Sequence, residues 1–378
     1  LTAGDSTQFI FDSTLTLVDS AQYKLTFTGY DLALNKSDSV HIEDITFDIS
    51  SPVFSNVLPQ SNSYINAVGL FYSVSEELKK GAVHFIQVDG KSDSQSPHLL
   101  TLSEEMLSKG RHDAVSFNNY GFLSDSSIYR VELSGDDLAG NSANILELYN
   151  VTFDISSPII SDVIPEEKSF VKSDSFEFSI SEDLMVGSYA LMNMQGDTVA
   201  FSDFGDELLT IGPHIGSISF DSGIVDGTLN NLVITAMDSA GNVRVASQDS
   251  ITFDFTAPKI SLSIDPYLKK PQISFDVSEY VGSATLIWTP DSLLTGFADT
   301  ILVKFSEEDL RFAGADQLVP AGMKKIENGG LVDSTIYSVT IEGVDKAGNI
   351  SVPLRIPNVH FDISKPILAI NPPEKNLY

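Results

Sequence analysis

The stretch ITFDISSPV (45–53) decides the fold, because it returns three times: VTFDISSPI (151–159), ITFDFTAPK (251–259) and VHFDISKPI (359–367). Its aspartates, Asp48, Asp154, Asp254 and Asp362, stand 106, 100 and 108 residues apart. A second signature keeps the same period: YDLALN (30–35), DDLAGN (136–141), MDSAGN (237–242) and VDKAGN (344–349), with Asp31, Asp137, Asp238 and Asp345 at spacings of 106, 101 and 107. Two independent motifs on one period establish an internal repeat of about 105 residues, the size of one small domain.

A third element ends eight residues before each of these latter aspartates: DSAQY (19–23), DSSIY (125–129), DGTLN (226–230) and DSTIY (333–337). Strict alternation follows it, as in YRVELSG and YSVTIEG, the mark of a strand with one buried face. A fourth element follows the first three of the four FDxSxP-type segments: FYSVSEEL (71–78), FEFSISEDL (176–184) and ISFDVSEYV (273–281). Each is an alternating strand that runs into Ser-Glu. About seven short strands per repeat, with turn residues between them, predict an all-β chain of tandem immunoglobulin or fibronectin-III-like β-sandwiches in an extended array. The Tyr strand is then strand F and the D-x-A-G-N turn the F–G loop. The tyrosine belongs to a tyrosine corner, its hydroxyl tied back to the preceding turn; Asn230 replaces it in one copy.

The period divides the chain into a partial repeat at 1–49 carrying the last strands of one domain, whole repeats at 50–155, 156–255 and 256–363, and the first strand of a further repeat at 364–378. Such a division is expected of a piece of a longer array.

Composition fits this reading and narrows the partners. The 378 residues carry 52 acids against 22 Lys and Arg, a net charge of −30. Nucleic acid and anionic membrane are repelled, and cations are attracted. No apolar run has the length of a membrane helix. Cysteine is absent, which removes disulfides, thiolate metal sites and cysteine nucleophiles. Cores, oxygen-ligated metals or contacts between repeats must supply the stability instead.

The motifs, in the order S-E-x-L, S-P-H, G-x-H, L-x-D-x-x-x-Y, D-x-A-G-N and F-D-x-S-x-P, resemble those of the bacterial immunoglobulin-like repeats of very large cell-surface proteins and adhesins. The repeat at 50–155 carries nearly all of them: Ser75-Glu76-Glu77-Leu78, Ser96-Pro97-His98, Gly110-Arg111-His112, Leu123-Ser124-Asp125, Asp137 to Asn141 and Phe153 to Pro158. The two later repeats lack S-P-H, and the last also lacks the G-x-H step. The resemblance implies a non-enzymatic stalk or spacer on a bacterial surface, outside the cell and often part of an adhesin. Its partners are neighbouring repeats of the same chain, with other copies or a host or cell-surface ligand as further candidates.

In a sandwich the B–C turn, the F–G loop and the incoming linker meet at one pole. That places three acids together at each junction: Asp48, Glu76 and Asp137; Asp154, Glu182 and Asp238; Asp254, Glu279 and Asp345. Three carboxylates with turn carbonyls and water can supply the six to eight oxygens that Ca²⁺ takes. Glu77, Asp136 and Asp183 rank lower, since the last repeat has no equivalents. A second reading of the same acids stays open. Asp at the head of a Gly-containing turn accepts backbone N–H bonds in an Asx-turn, with Gly140, Gly241 and Gly348 at positive φ.

Nothing else points to chemistry. There is no nucleophile elbow and no phosphate loop. His112 and His214 read as structural, Trp288 as core, and SEEM (103–106) and SEEDL (306–310) as short helical turns. Two other functions remain compatible with the sequence: a self-assembling subunit of an extracellular filament, sheath or surface layer, and a glycan-binding module.

Overall fold

The computed structural model describes residues 15–116, 123–218, 223–291, 298–307, 317–320 and 330–370. Alternating sequences become strands throughout, and their buried and exposed residues alternate with them, as in Ser127–Asp137, where every second side chain is buried. By its contacts the chain divides into two compact units. One is Leu1–Pro158 with Asp183–Met185 and Met237–Arg244; the other is Ile159–Glu182 with Val186–Ala236 and Val245–Tyr378.

The first described strands, β1 (Ala21–Phe27) and β2 (Val40–Phe47), form an antiparallel pair. Then one topology occurs three times. The strands β3 (Phe54–Leu58), β4 (Tyr64–Ile65), β5 (Gly69–Val74), β6 (Leu78–Gly90), β7 (His98–Thr101), β8 (Gly110–Ser116), β9 (Ser127–Asp137) and β10 (Leu146–Phe153) make two sheets, ordered β3-β5-β8 and β4-β10-β9-β6-β7. Next come β11 (Ile160–Ile164), β12 (Phe170–Val171), β13 (Ser175–Ile180), β14 (Val186–Asn193), β15 (Thr198–Asp203), β16 (Gly212–Ser217), β17 (Thr228–Met237) and β18 (Val243–Phe253). They form β11-β13-β16 and β12-β18-β17-β14-β15. Finally β19 (Ile260–Ser263), β20 (Tyr267–Leu268), β21 (Gln272–Val277), β22 (Val281–Pro290), β23 (Ile301–Phe305), β24 (Gln317–Pro320), β25 (Thr335–Asp345) and β26 (Leu354–Phe361) form β19-β21-β24 and β20-β26-β25-β22-β23. A three-stranded sheet against a five-stranded one is the immunoglobulin-like sandwich expected from the sequence.

The cores lie between the paired sheets. Leu70, Tyr72 and Val74 of β5 cluster with Val83, Phe85, Tyr129, Val131 and Leu133 of the opposite sheet. Ile273 and Phe275 of β21 cluster with Leu286, Trp288, Tyr337, Val339 and Ile341. Trp288 is 1% exposed, its ring edge-on to Tyr337 at 5.9 Å, so it is a core residue. In the middle repeat Phe176, Phe178, Leu191, Leu232, Ile234 and Phe253 are buried.

The tyrosine corner forms where tyrosine is present. The hydroxyls of Tyr23, Tyr129 and Tyr337 accept the backbone N–H of Val18, Ser124 and Val332 at 2.7, 2.9 and 2.9 Å. Asn230 makes a shorter-range bond instead, donating to the Thr228 carbonyl at 3.2 Å. His112 and His214 each bond a carbonyl four residues back, Ser108 O at 2.7 Å and Thr210 O at 2.6 Å, and lie against Tyr72 and Phe178. Glu104–Leu107 is a single 3₁₀ turn, matching the expectation for SEEM. The SEEDL segment lies partly outside the described residues.

Candidate metal centre at the linkers

Each linker leaves the last strand of one repeat and is fastened before it enters the next. Asp19 holds the first: Oδ1 accepts Ile49 N at 2.9 Å and Oδ2 accepts Ser50 Oγ at 2.6 Å. Asp125 holds Ile155 N (2.9 Å) and Ser156 Oγ (2.8 Å) in the same way. Asp226 accepts Phe255 N at 2.7 Å and the Thr256 hydroxyl, and Asp333 accepts Ile363 N at 2.7 Å and the Ser364 hydroxyl. These donors hold all four carboxyls below the usual carboxylate range. For Asp19, Asp226 and Asp333 the hydroxyl contributes most, and for Asp125 the Ile155 N–H does.

Beyond the linker, the serine of Ser-Glu ties down the start of the next repeat. Ser75 Oγ accepts Val53 N at 2.9 Å, and Ser75 N donates back to Val53 O at 3.1 Å. Ser278 does the same with Lys259, at 2.9 Å both ways. The glutamate that follows is thereby delivered to the linker, which is why the Ser-Glu pair recurs as a unit.

The F–G loop brings the third acid. Asp137 is 1% exposed; its Oδ1 accepts Gly140 N (2.6 Å) and Asn141 N (2.8 Å), and its Oδ2 accepts Asn141 Nδ2 (2.8 Å). Gly140, Gly241 and Gly348 have φ of 101°, 91° and 87°, values that a side chain makes costly. The Asx-turn reading is therefore correct as far as it goes. The same Asn141 Nδ2 also donates to the carbonyl of linker Asp48 at 3.1 Å. Asn349 repeats both bonds, to Asp345 Oδ2 and to Asp254 O, each at 2.8 Å. Asn242 bonds Asp238 Oδ2 and Asp154 O, each at 2.9 Å.

Two of the expected acid groups assemble within one unit each. The carboxylate oxygens offered by Asp48, Glu76 and Asp137 lie within 4.8 Å of one another, and so do those of Asp254, Glu279 and Asp345. In both groups the F–G aspartate is buried and the other two acids are half-buried. Asp154 and Asp238 belong to the first unit and repeat two of the three positions, while Glu182 belongs to the second. Asp136, ranked lower, is engaged by Lys80 Nζ and Ser142 Oγ, both at 2.8 Å.

The electrostatics record the crowding. Burial, then the charges of Asp48 and Asp137, push Glu76 above its usual range. Burial, then Asp254 and Asp345, do the same to Glu279, and burial, then Asp345, raises Asp254. Burial followed by the charge of Asp238 raises Asp154, against the Ser156 N–H that lowers it. Asp137 moves the other way: burial works against its charge, but the donors of Asn141 and Gly140 outweigh it. The donor set is oxygen alone, with neither sulfur nor imidazole, which suits a hard divalent cation such as Ca²⁺ and not zinc or copper.

Two kinds of residue at these linkers escaped the sequence reading: the capping aspartates (Asp19, Asp125, Asp226, Asp333) and the asparagines that close D-x-A-G-N. Both were visible as recurring letters, and what hid their role was the distance in sequence to the linker atoms they bond. A separate polar cluster lies in the first sandwich, where His98 Nε2 and Tyr129 OH stand 2.5 and 2.6 Å from Asp93 Oδ2. Burial disfavours the Asp93 charge, yet hydrogen bonds from Tyr129 and His98 hold its pKa below the usual range. At 7% and 8% exposure, Asp93 and His98 are closed to a substrate and serve the core.

No protein-family model matches the chain, and no curated protein sequence does either. Similar solved structures include a tetra-tandem repeat in the extending region of a large adhesion protein, at 16% identity and a TM-score of 0.31 over 93% of this chain and 84% of that one. They also include a structure concerning host cell surface retention of a 1.5-MDa bacterial ice-binding adhesin (13%, TM-score 0.29, 83% and 99%) and the FN1–FN3 domains of chicken CNTN1 (12%, TM-score 0.32, 79% and 96%).

Proposed function

We propose that the chain is a spacer of a bacterial surface or secreted adhesin-like protein. In this reading the segments 50–155, 156–255 and 256–363 are its serial folded repeats, and Ca²⁺ at the linkers limits bending between them. The observation that carries the reading is the double grip on the linkers at Asp48 and Asp254. The preceding repeat holds it through Asp19 or Asp226, and the following repeat holds it through Asn141 or Asn349. An enzyme concentrates its polar detail in one cleft; this chain repeats it from joint to joint.

Asp48, Glu76 and Asp137 would hold one ion, and Asp254, Glu279 and Asp345 another. Asp154, Glu182 and Asp238 are included because the same residue types stand at the same places in the repeat. The ion supplies the counter-charge that the crowded carboxylates lack. The chain's own residues do the positioning: Ser75 and Ser278 deliver the glutamates, and Asn141 and Asn349 fix the buried aspartates.

The test is thermal unfolding in chelator and in Ca²⁺, beside sedimentation over a range of concentrations. Ca²⁺ at about a hundred times its Kd adds about 2.7 kcal/mol to a repeat that binds it only when folded, so melting moves upward. Identical melting in chelator and Ca²⁺ removes the metal from the account. A mass that grows with concentration replaces the spacer with a self-assembling subunit.

A further inference from the structure

The two complete acid groups sit at linkers that are not built alike. At the Asp254 linker, the F–G loop of the last repeat touches the preceding repeat at two further points. Lys346 Nζ lies 5.5 Å from the ring centre of Phe170, in β12, and 4.5 Å from that of Tyr280, in its own repeat. Glu307 orients it, accepting the ammonium at 3.2 Å and the Tyr280 hydroxyl at 2.7 Å. Two residues along the loop, the Gly348 carbonyl accepts Lys172 Nζ, just past the end of β12. Two ammonium groups thus cross this joint, one donated by each side. The loop at the Asp48 linker has Leu138 where Lys346 stands, so it offers no cation at that place.

We propose that the joint at Asp254 is held closed by Lys346 and Lys172 without a metal ion, whereas the joint at Asp48 depends on Ca²⁺. The inference rests on the spacer reading above and makes its stiffness graded along the chain. When calcium falls, bending begins at the first joint and the later one stays set. A cation–π contact at a partly exposed site shifts a closed-to-open ratio by about two- to five-fold, and Lys346 makes two such contacts while Lys172 adds a hydrogen bond.

The chain has no cysteine, so paired spin labels can be placed at will along its full length. Gln22→Cys with Leu99→Cys spans the Asp48 linker, and Thr198→Cys with Leu302→Cys spans the Asp254 linker; all four positions are exposed. In chelator the first pair's distance distribution is expected to widen and the second pair's to stay narrow. Lys346→Ser combined with Lys172→Ser should widen the second pair in chelator, Ca²⁺ should narrow it again, and Lys346→Arg, which keeps the cation over the rings, should leave it narrow. The proposal is overturned if the second pair widens in chelator with both lysines present, or stays narrow with both removed. A first pair that ignores chelator refutes calcium at Asp48, and with it the contrast between the joints, while the lysine variants still decide what holds the second.

Discussion

Replacing Asp125 by alanine isolates the linker cap from everything else the joint does. The carboxylate accepts Ile155 N at 2.9 Å and Ser156 Oγ at 2.8 Å, and alanine offers neither bond. A hydrogen bond of this kind is worth about 1 kcal/mol net, and more when its acceptor is charged. Asp125 is only half-buried, so solvent screens part of that gain, and the loss should be about 1–2 kcal/mol of local stability. The fitting assay is amide hydrogen exchange, which reads local opening residue by residue. A loss of that size speeds exchange at Ile155 by about five- to thirty-fold. The adjacent Asp154 N–H donates to Ile65 O at 2.9 Å, as part of the sheet, and serves as the internal reference. If Ile155 exchanges at its original rate in the variant, or if Asp154 accelerates equally, the cap is not what fastens the linker.

The tyrosine corners give a paired comparison. Tyr129→Phe removes the acceptor of Ser124 N and a donor to buried Asp93, at about 2–4 kcal/mol, whereas Tyr337→Phe removes, among the described residues, the Val332 bond alone, at about 1 kcal/mol; urea unfolding followed in each repeat should rank them in that order. Acid should act like the Asp125 variant. The capping carboxyls are depressed in the folded chain, so their contribution is complete above the usual carboxylate range and fades as pH falls through their lowered values. The cluster glutamates have the opposite sign. Glu76 and Glu279 are raised, so without metal their ionisation costs stability as pH climbs from the usual range through the raised values, and the cost is complete at neutral pH. Melting temperature against pH, with and without Ca²⁺, should therefore separate at neutral pH and converge in acid; parallel curves would contradict this.

The sandwich was legible because a half-buried strand writes its two faces into alternate letters, and the Tyr strand Ser127–Asp137 does so over its whole length. The acids were legible because loops at one pole share a location whatever their contents. Less was visible of the residues that act across long separations: Asn141 meets a carbonyl in the linker at Asp48, and no local pattern announces that bond. The irregularities of the last strand were also silent. Asn150 and Asn358 sit at φ of 55° and 61°, where the pairing of β9 with β10 and of β25 with β26 slips. Asparagine tolerates that conformation, yet one asparagine in an otherwise apolar-alternating strand reads as an ordinary exposed residue. Asn230 was the reverse case, a visible departure whose consequence, a bond confined to Thr228, follows from its short reach.

Calorimetric titration of Ca²⁺ into the chelator-stripped chain bears most directly on the claim that the recurring linker acids form cation sites. Saturable binding is expected, with one equivalent for each acid group and one equivalent fewer in Glu76→Gln, a change that removes a charge and keeps the side chain's shape. Absence of saturable heat, or a stoichiometry that Glu76→Gln leaves unchanged, would contradict it.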